Sequence, residues 1–348
     1  MSAVCGPEAE AVARGLGFDC HDVSPVVSVR FPWDLAHWTM PLLELLIIGG
    51  AVFALVHALR RYRHGDPINL ALWWTSLVYL AVIEPPLYFP EWFGLNEIYG
   101  FIFAHNQFTV QFMWDRLPLY IIAFYPVISQ LAYELVRSLG IFRRRGALVG
   151  SVAVAFACQV FYEVFDHIGP HLKWWAWNPD NRIVNHPALA AVPMTSMLLF
   201  ASVSLGAMTY LVVRLAGERR GRSLVPRVLL AGVLTPPTMA IAGIPSSFFS
   251  GNATAQAWVL GVELALVWLA GGWIVLSQLR SPGPGEPLSA FVRIYPVVYL
   301  GGMAVFWISA LPDGPPIAGA LYALTCFIGA GLLLAALRRV HRKAPSTV

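Results

Sequence analysis

The sequence predicts an all-α protein, a polytopic bundle of about nine membrane-spanning helices with its N-terminus outside and its C-terminus cytoplasmic. Three observations predict it. Of 348 residues, 57% are hydrophobic and only 12% are charged, and the mean hydropathy is +0.64, a balance that soluble domains seldom show. The apolar residues collect into runs of about 20, the length that crosses a bilayer as a helix. The basic residues fall almost wholly between alternate runs.

Residues 1–36 read as a polar extracytoplasmic segment. They lack the positive n-region and apolar h-region of a signal peptide, so the first span is expected to direct insertion itself. The runs follow at His37–Leu59, Leu70–Phe89, Leu117–Leu139, Ala147–Ile168, Leu189–Leu215, Val225–Phe248, Ala255–Leu279, Ala290–Leu311 and Pro316–Leu337. Residues 37–337 therefore form one transmembrane domain, with no internal repeat or Gly/Ser linker dividing it. Residues 338–348 read as a basic cytoplasmic tail. Pro85-Pro86, Pro236-Pro237 and Pro245 interrupt two runs. Such breaks survive in a membrane only where neighbouring helices or water satisfy the freed backbone groups.

Orientation follows from the positive-inside rule. Arg60, Arg61 and Arg63, the Arg137–Arg145 cluster, Arg214–Arg227, Arg280 with Arg293, and Arg338 onward to Lys343 lie on alternate connections. Together they hold 18 of the 23 Lys and Arg residues. Topology thus explains the arginines, and no nucleic-acid partner is indicated. The same topology places Cys5 and Cys20 outside, where a disulfide between them is permitted. Cys158 and Cys326 lie in spans and read as packing residues.

Six carboxylates lie inside the apolar runs: Glu44, Glu84, Glu134, Glu163, Asp166 and Glu263. A charge at the bilayer centre costs roughly 2.5–3.5 kcal/mol on insertion scales. All but Glu134 are expected in the outer half of the membrane, contributed by four helices, with most of them facing one cavity. Gln159, Glu163 and Asp166 are spaced i, i+4, i+7, which places them on one helical stripe beside His167. Gly169-Pro170 then ends the helix. Trp174, Trp175 and Trp177 follow. They suit either an interfacial aromatic belt or a pocket wall.

The connection from Glu91 to Arg116 is too aromatic for a solvated loop and too polar for a span. It includes Tyr99, Phe101, Phe103, His105, Asn106, Gln107 and Phe108. An interfacial or re-entrant segment over the cavity mouth accounts for it.

Each feature has a plainer reading. Glu163 and Asp166 suit general acid/base work, yet a helix end reaching headgroups, or neutralised by Arg116 or Lys173, carries the same residues. Glu84 before Pro85-Pro86 is either a cavity acid or a solvated one. Glu44 and Glu263 serve equally as interhelical hydrogen-bond partners. Glu134 is expected to pair with Arg137 at i+3. His167 and His171 have ligand-like spacing, but Gly169-Pro170 breaks the helix between them, so no metal is expected. Asn252-Ala253-Thr254 matches a glycosylation acceptor and carries no weight.

The run Glu163-x-x-Asp166-x8-Trp175-x-Trp177, followed by Pro187 and Pro193, resembles the CruF-like carotenoid hydratase family, as does the aromatic loop leading into Leu117-Pro118-Leu119-Tyr120. The likeness covers about Leu95 to Leu205. The family's tyrosine-rich run is not reproduced; Tyr99–Phe103 or His105–Phe108 stands in its place. Its polar and Trp positions after the second Pro are Met and Leu here. The resemblance implies a multi-span protein of the cell membrane and of carotenoid biosynthesis, acting on an isoprenoid double bond. An acid in a dry site protonates the alkene, aromatic faces stabilise the cation, and water or an internal alkene captures it. That chemistry needs no organic cofactor.

The expected catalytic carboxylates are Asp166, Glu163 and Glu84. Glu44, Glu263, His105, Asn106, Tyr99, Trp175, Trp177 and His167 are expected to contact a lipid or isoprenoid substrate. Two other classes fit the same sequence: a proton-coupled carrier of lipid or small solute, and a non-catalytic membrane subunit of a larger complex. The sequence names no protein partner.

Overall fold

Local chemistry sets where each apolar run turns into helix and where it stops. The computed structural model describes residues 5–31, 33, 36–106, 109–280 and 288–342. Gln107 and Phe108 of the aromatic loop and Lys343 of the basic tail lie outside the described residues. A short amphipathic helix α1 (Pro7–Leu16) begins on a proline, which lacks the N–H that a first turn leaves unpaired, and ends at Gly17 in the left-handed region. Cys5 and Cys20 close a disulfide around it. Strand β1 (Val27–Val29) follows.

The first two spans are α2 (Thr39–Arg63) and α3 (Ile68–Tyr88). Helix α3 includes Pro85 and Pro86 in its last turn. The long aromatic connection holds a one-turn helix α4 (Asn96–Tyr99) and strands β2 (Phe103–His105), β3 (Val110–Phe112) and β4 (Leu117–Pro118). Helix α5 (Leu119–Ser138) is buried on nearly every side, as a helix apolar all round should be. Helix α6 (Ile141–Asp166) has a break at Gly146, whose φ of 78° favours a residue without Cβ; the spanning part starts after it.

Strands β5 (Trp175–Trp177), β6 (Ala188–Leu189) and β7 (Val192–Pro193) lead into the fifth span. That span is α7 (Met194–Leu198), a π-helical turn at Leu199–Ser204, and α8 (Leu205–Ala216). The last four are α9 (Val225–Ser247), α10 (Ala253–Arg280), α11 (Ala290–Ala310) and α12 (Ile317–Arg342). Among the described residues, nine helices are long and apolar enough to cross a membrane. The protein is thus an all-α bundle embedded in a membrane, with bounds within a few residues of the apolar runs. Two bounds shift. The fifth span starts at Met194, because Ala188–Pro193 folds back as the β6–β7 hairpin. The basic segment from Arg338 continues α12 as helix instead of starting a separate tail.

Helix α5 sits against α2, α3 and α6; α6 in turn packs on α8, α10 and α12, while α9 covers α3 and α8. The arginine-bearing connections meet at one end. There Gly221 N–H donates to the Tyr62 hydroxyl, Gln278 donates to the Leu139 carbonyl and Arg220 to that of Gly65. The other end carries a cap. Strands pair there in the order β1-β3-β4 and as β2 with β5, all antiparallel. The β2–β5 ladder sets Phe103 opposite Trp177 and His105 opposite Trp175, tying the aromatic loop to the Trp run.

Candidate functional site

A cavity of about 600 Å³ opens beneath the cap, between α3, α5, α6, the π-helical turn and α9. Helix irregularities surround it. Glu84 stands immediately before Pro85-Pro86, Leu199 and Phe200 open the π turn, and Pro236-Pro237 of α9 face in from the opposite side. π turns and internal prolines are uncommon in helices and are found where a site must be shaped. Their convergence on one space marks it as the place this bundle departs from regular packing.

Two of the five carboxylates expected in the outer half reach the cavity, Glu84 from α3 and Asp166 from the end of α6. Glu84 accepts a hydrogen bond from the Tyr125 hydroxyl. Asp166 Oδ2 is buried with no hydrogen-bond partner among the described residues. No lysine or arginine is found in the described lining. Arg116 lies over the rings of Phe89 and Phe101, and Lys173 is exposed, so neither is the neutralising partner weighed from the sequence.

The expectation that Glu163 shares this cavity is corrected. At about 100° per residue, Asp166 stands roughly 40° from Tyr162 and 60° from Glu163. Tyr162 and Asp166 face the cavity together. Glu163 and His167 turn to the α12 side, 3.2 Å apart and fully buried. There Gln159 Nε2 donates to the Tyr322 hydroxyl at 3.1 Å and Trp268 Nε1 donates to the same oxygen at 3.2 Å. The i, i+4, i+7 spacing therefore joins two neighbouring faces, not one.

Glu44, Glu263, Asn106 and His167, expected in the substrate site, are not in the cavity lining either. Glu44 accepts from the Thr109 hydroxyl and so fastens the cap to α2. Asn106 donates to the carbonyls of Leu16 and Lys173, at 3.1 and 2.8 Å, and joins three cap segments. Glu263 lies on α10, away from the cavity. Glu134 pairs with Arg137 at 3.2 Å, as its spacing suggested, and also meets His57 at 3.1 Å.

Tyr99, His105, Trp175 and Trp177 do line the cavity. Trp175 reaches it because Gly169 has no side chain: a Cβ there would lie 2.0 Å from the indole ring. The ring stands 4.8 Å from Phe165, which stacks on Phe124 at 4.4 Å, and Tyr162 meets Phe124 edge-on. These rings line the same cavity as Asp166, and an aromatic face, unlike its edge, stabilises positive charge. Trp174 turns away and donates to Thr39 Oγ1 at 2.9 Å, which ties the cap to α2.

His105 forms the roof. Burial pushes its pKa down to about 3, so the ring is neutral near pH 7. Its Nδ1 lies 3.3 Å from the Arg116 carbonyl. A carbonyl only accepts, so Nδ1 carries the proton and Nε2 is the basic nitrogen.

Three asparagines close the roof from above. Asn181 donates to the carbonyls of Tyr99 and Phe101 at 2.5 and 2.9 Å; Asn185 donates to those of Ile102 and Asn178 at 2.7 and 2.9 Å. Asn178 donates to the Phe101 carbonyl at 3.0 Å and to Glu8 of α1. Sequence reasoning missed these asparagines, because polar loop residues carry no periodic signal. It also missed Tyr125, Phe124 and Tyr162. Of these only Tyr162, four residues before Asp166, had a spacing that could have found it.

No family model, curated protein or solved structure matches the chain.

Proposed function

We propose that the protein is an enzyme of the cell membrane, cap outward, that protonates a double bond of a polyisoprenoid or carotenoid-like lipid. The observation that carries the reading is Asp166: a buried carboxyl with an unpartnered oxygen in a cavity walled by aromatic rings. Other buried polar atoms share that state, both Glu163 oxygens among them; what sets Asp166 apart is that it faces the cavity. The described lining holds no Lys or Arg beside it.

The chemistry balances with residues of this chain. Asp166 gives its proton to one alkene carbon, forming a C–H bond and leaving a cation on the neighbouring carbon. The faces of Phe165, Trp175 and Tyr162 stabilise that charge. Water then adds through oxygen and loses a proton to His105 Nε2 or to Glu84, yielding an alcohol. Alternatively an internal alkene closes a ring and a C–H proton leaves to the same bases. Glu84, held by Tyr125, serves as the second carboxyl. Glu163 has no contact with the substrate in this scheme.

The test compares lipids from a host that supplies carotenoid or polyprenyl precursors and expresses either the wild type or Asp166→Asn. A product heavier than its precursor by one water, or an isomer of equal mass, is expected with the wild type. Loss of a general acid lowers turnover roughly 10²–10⁴-fold, while the variant still inserts. Equal product from both proteins would remove Asp166 from the chemistry.

A further inference from the structure

The cavity has two possible sides of access, and the structure treats them differently. On the cap side Tyr99, His105 and the Trp175–Trp177 strand form a roof, whose loop carbonyls are held by Asn181 and Asn185. On the α9 side the lining runs out to the surface of the bundle. Pro237 and Ala240 of α9 line the cavity and are exposed, and Ile183 of the cap loop between β5 and β6 also lines it and is 66% exposed. The surface just beyond the rim is apolar: Val233, Ile241 and Ile244 of α9 and Val82 of α3 are all exposed there. In a membrane-spanning bundle, such a face meets lipid chains and not water.

We propose that the cavity opens sideways into the bilayer between α9 and the cap loop that carries Ile183, and that its occupant is a long single-chain lipid entering end-first. The chemistry of the occupant rests on the function proposed above; the lateral opening does not. Size fixes how much of the chain goes in. At about 30 Å³ for each water-sized group, a cavity of about 600 Å³ holds roughly twenty non-hydrogen groups. One end of a long polyisoprenoid fits and the remainder stays among the lipids. The two carboxylates come from α3 and the end of α6, so the reacting double bond belongs near the inserted end of the chain.

Thiol accessibility in proteoliposomes tests the opening without any substrate. Ser196→Cys places a reporter on the cavity wall, and Thr195→Cys serves if that variant does not fold. The native Cys158 and Cys326 are buried, and Cys5 and Cys20 are paired. The probes are an uncharged membrane-soluble maleimide and a charged, membrane-impermeant thiosulfonate. The lateral opening predicts labelling at least tenfold faster by the maleimide. It also predicts that adding Ala240→Trp at the rim slows that labelling tenfold, whereas Ile244→Trp, further along the same face, does not.

Equal or faster reaction with the charged probe, or indifference to Ala240→Trp, overturns the opening. The lipid comparison with Asp166→Asn fails or succeeds separately. Fast maleimide labelling combined with unchanged lipids would leave a laterally open cavity and sink the alkene chemistry. Conversion of short and long isoprenoids at equal rates would overturn the end-first occupant alone.

Discussion

Glu134 and Asp166 are both acids buried in spans, yet their surroundings differ. Glu134 has His57 at 3.1 Å and Arg137 at 3.2 Å, and Asn69 Nδ2 donates to it at 2.9 Å. Arg137 continues to Asp66 at 2.7 Å, which also meets Arg61 at 2.9 Å. This network clamps α2, α3 and α5 together at the arginine end. Breaking a buried pair by removing one partner costs about 3–5 kcal/mol. Glu134→Ala is therefore expected to lower the unfolding temperature in detergent markedly, and Asp166→Asn to leave it nearly unchanged. A larger loss for Asp166→Asn would make that carboxyl structural.

His105 gives a pH signature at the same scale. Its folded pKa, about 3, lies below the ordinary value of 6.5, so burial favours the neutral ring. The stability tied to the neutral ring is complete above pH 6.5 and is lost as pH falls from there toward 3. Asp115, whose carboxyl burial raises, works in the opposite sense over part of that range. The informative quantity is therefore the difference between variants: His105→Gln should lose less thermal stability than the wild type between pH 7 and pH 4.5. An identical drop in both would place the ring's titration elsewhere.

At the scale of elements, two glycines in or beside α6 separate strain from site geometry. Gly146 at φ 78° is surrounded by open space, so Gly146→Ala should cost about 1–2 kcal/mol for the left-handed backbone and leave turnover alone. Gly169 has the Trp175 ring where its Cβ would be. Overpacking of that kind typically costs about 1–3 kcal/mol. Gly169→Ala should also displace Trp175 and cut turnover several-fold. Equal turnover in both variants would show that the Trp175 position is immaterial to the chemistry. The break at Gly169-Pro170 was legible from its residue types, but the ring it admits was not, since Trp175 is six residues further along a loop.

For the whole molecule, the cap decides how the cavity meets its surroundings. Asn185 bridges two carbonyls, on Ile102 and Asn178. Each also keeps a backbone donor, Asn178 N–H and Asn181 N–H, so removing the side chain costs the two side-chain bonds alone, about 0.5–1.5 kcal/mol each. Asn185→Ala should thus raise hydrogen exchange over residues 99–106 while exchange within α5 stays as it was. Unchanged exchange in that loop would mean that the asparagines do not hold the roof. Helix α1, fastened by the Cys5–Cys20 disulfide and by Glu8 on Asn178, braces the same loop from the side.

The spans, their number and the Glu134–Arg137 pair were determined by the sequence, because they depend on local quantities. Twenty apolar residues make a helix that crosses a membrane wherever they occur, and residues three apart meet on any helix. The disulfide was permitted by compartment but not required. Which carboxylates share a cavity was decided only by the tertiary structure. Depth along a span can be read from sequence, but the direction a side chain points depends on how helices rotate against one another. Asp166 and Glu163, one turn apart, thus came to different neighbours. Likewise, Tyr125 on Glu84 and the asparagine roof on the aromatic loop join residues 41 to 83 positions apart. Such contacts exist only once the chain has packed, and no spacing rule in the sequence announces them.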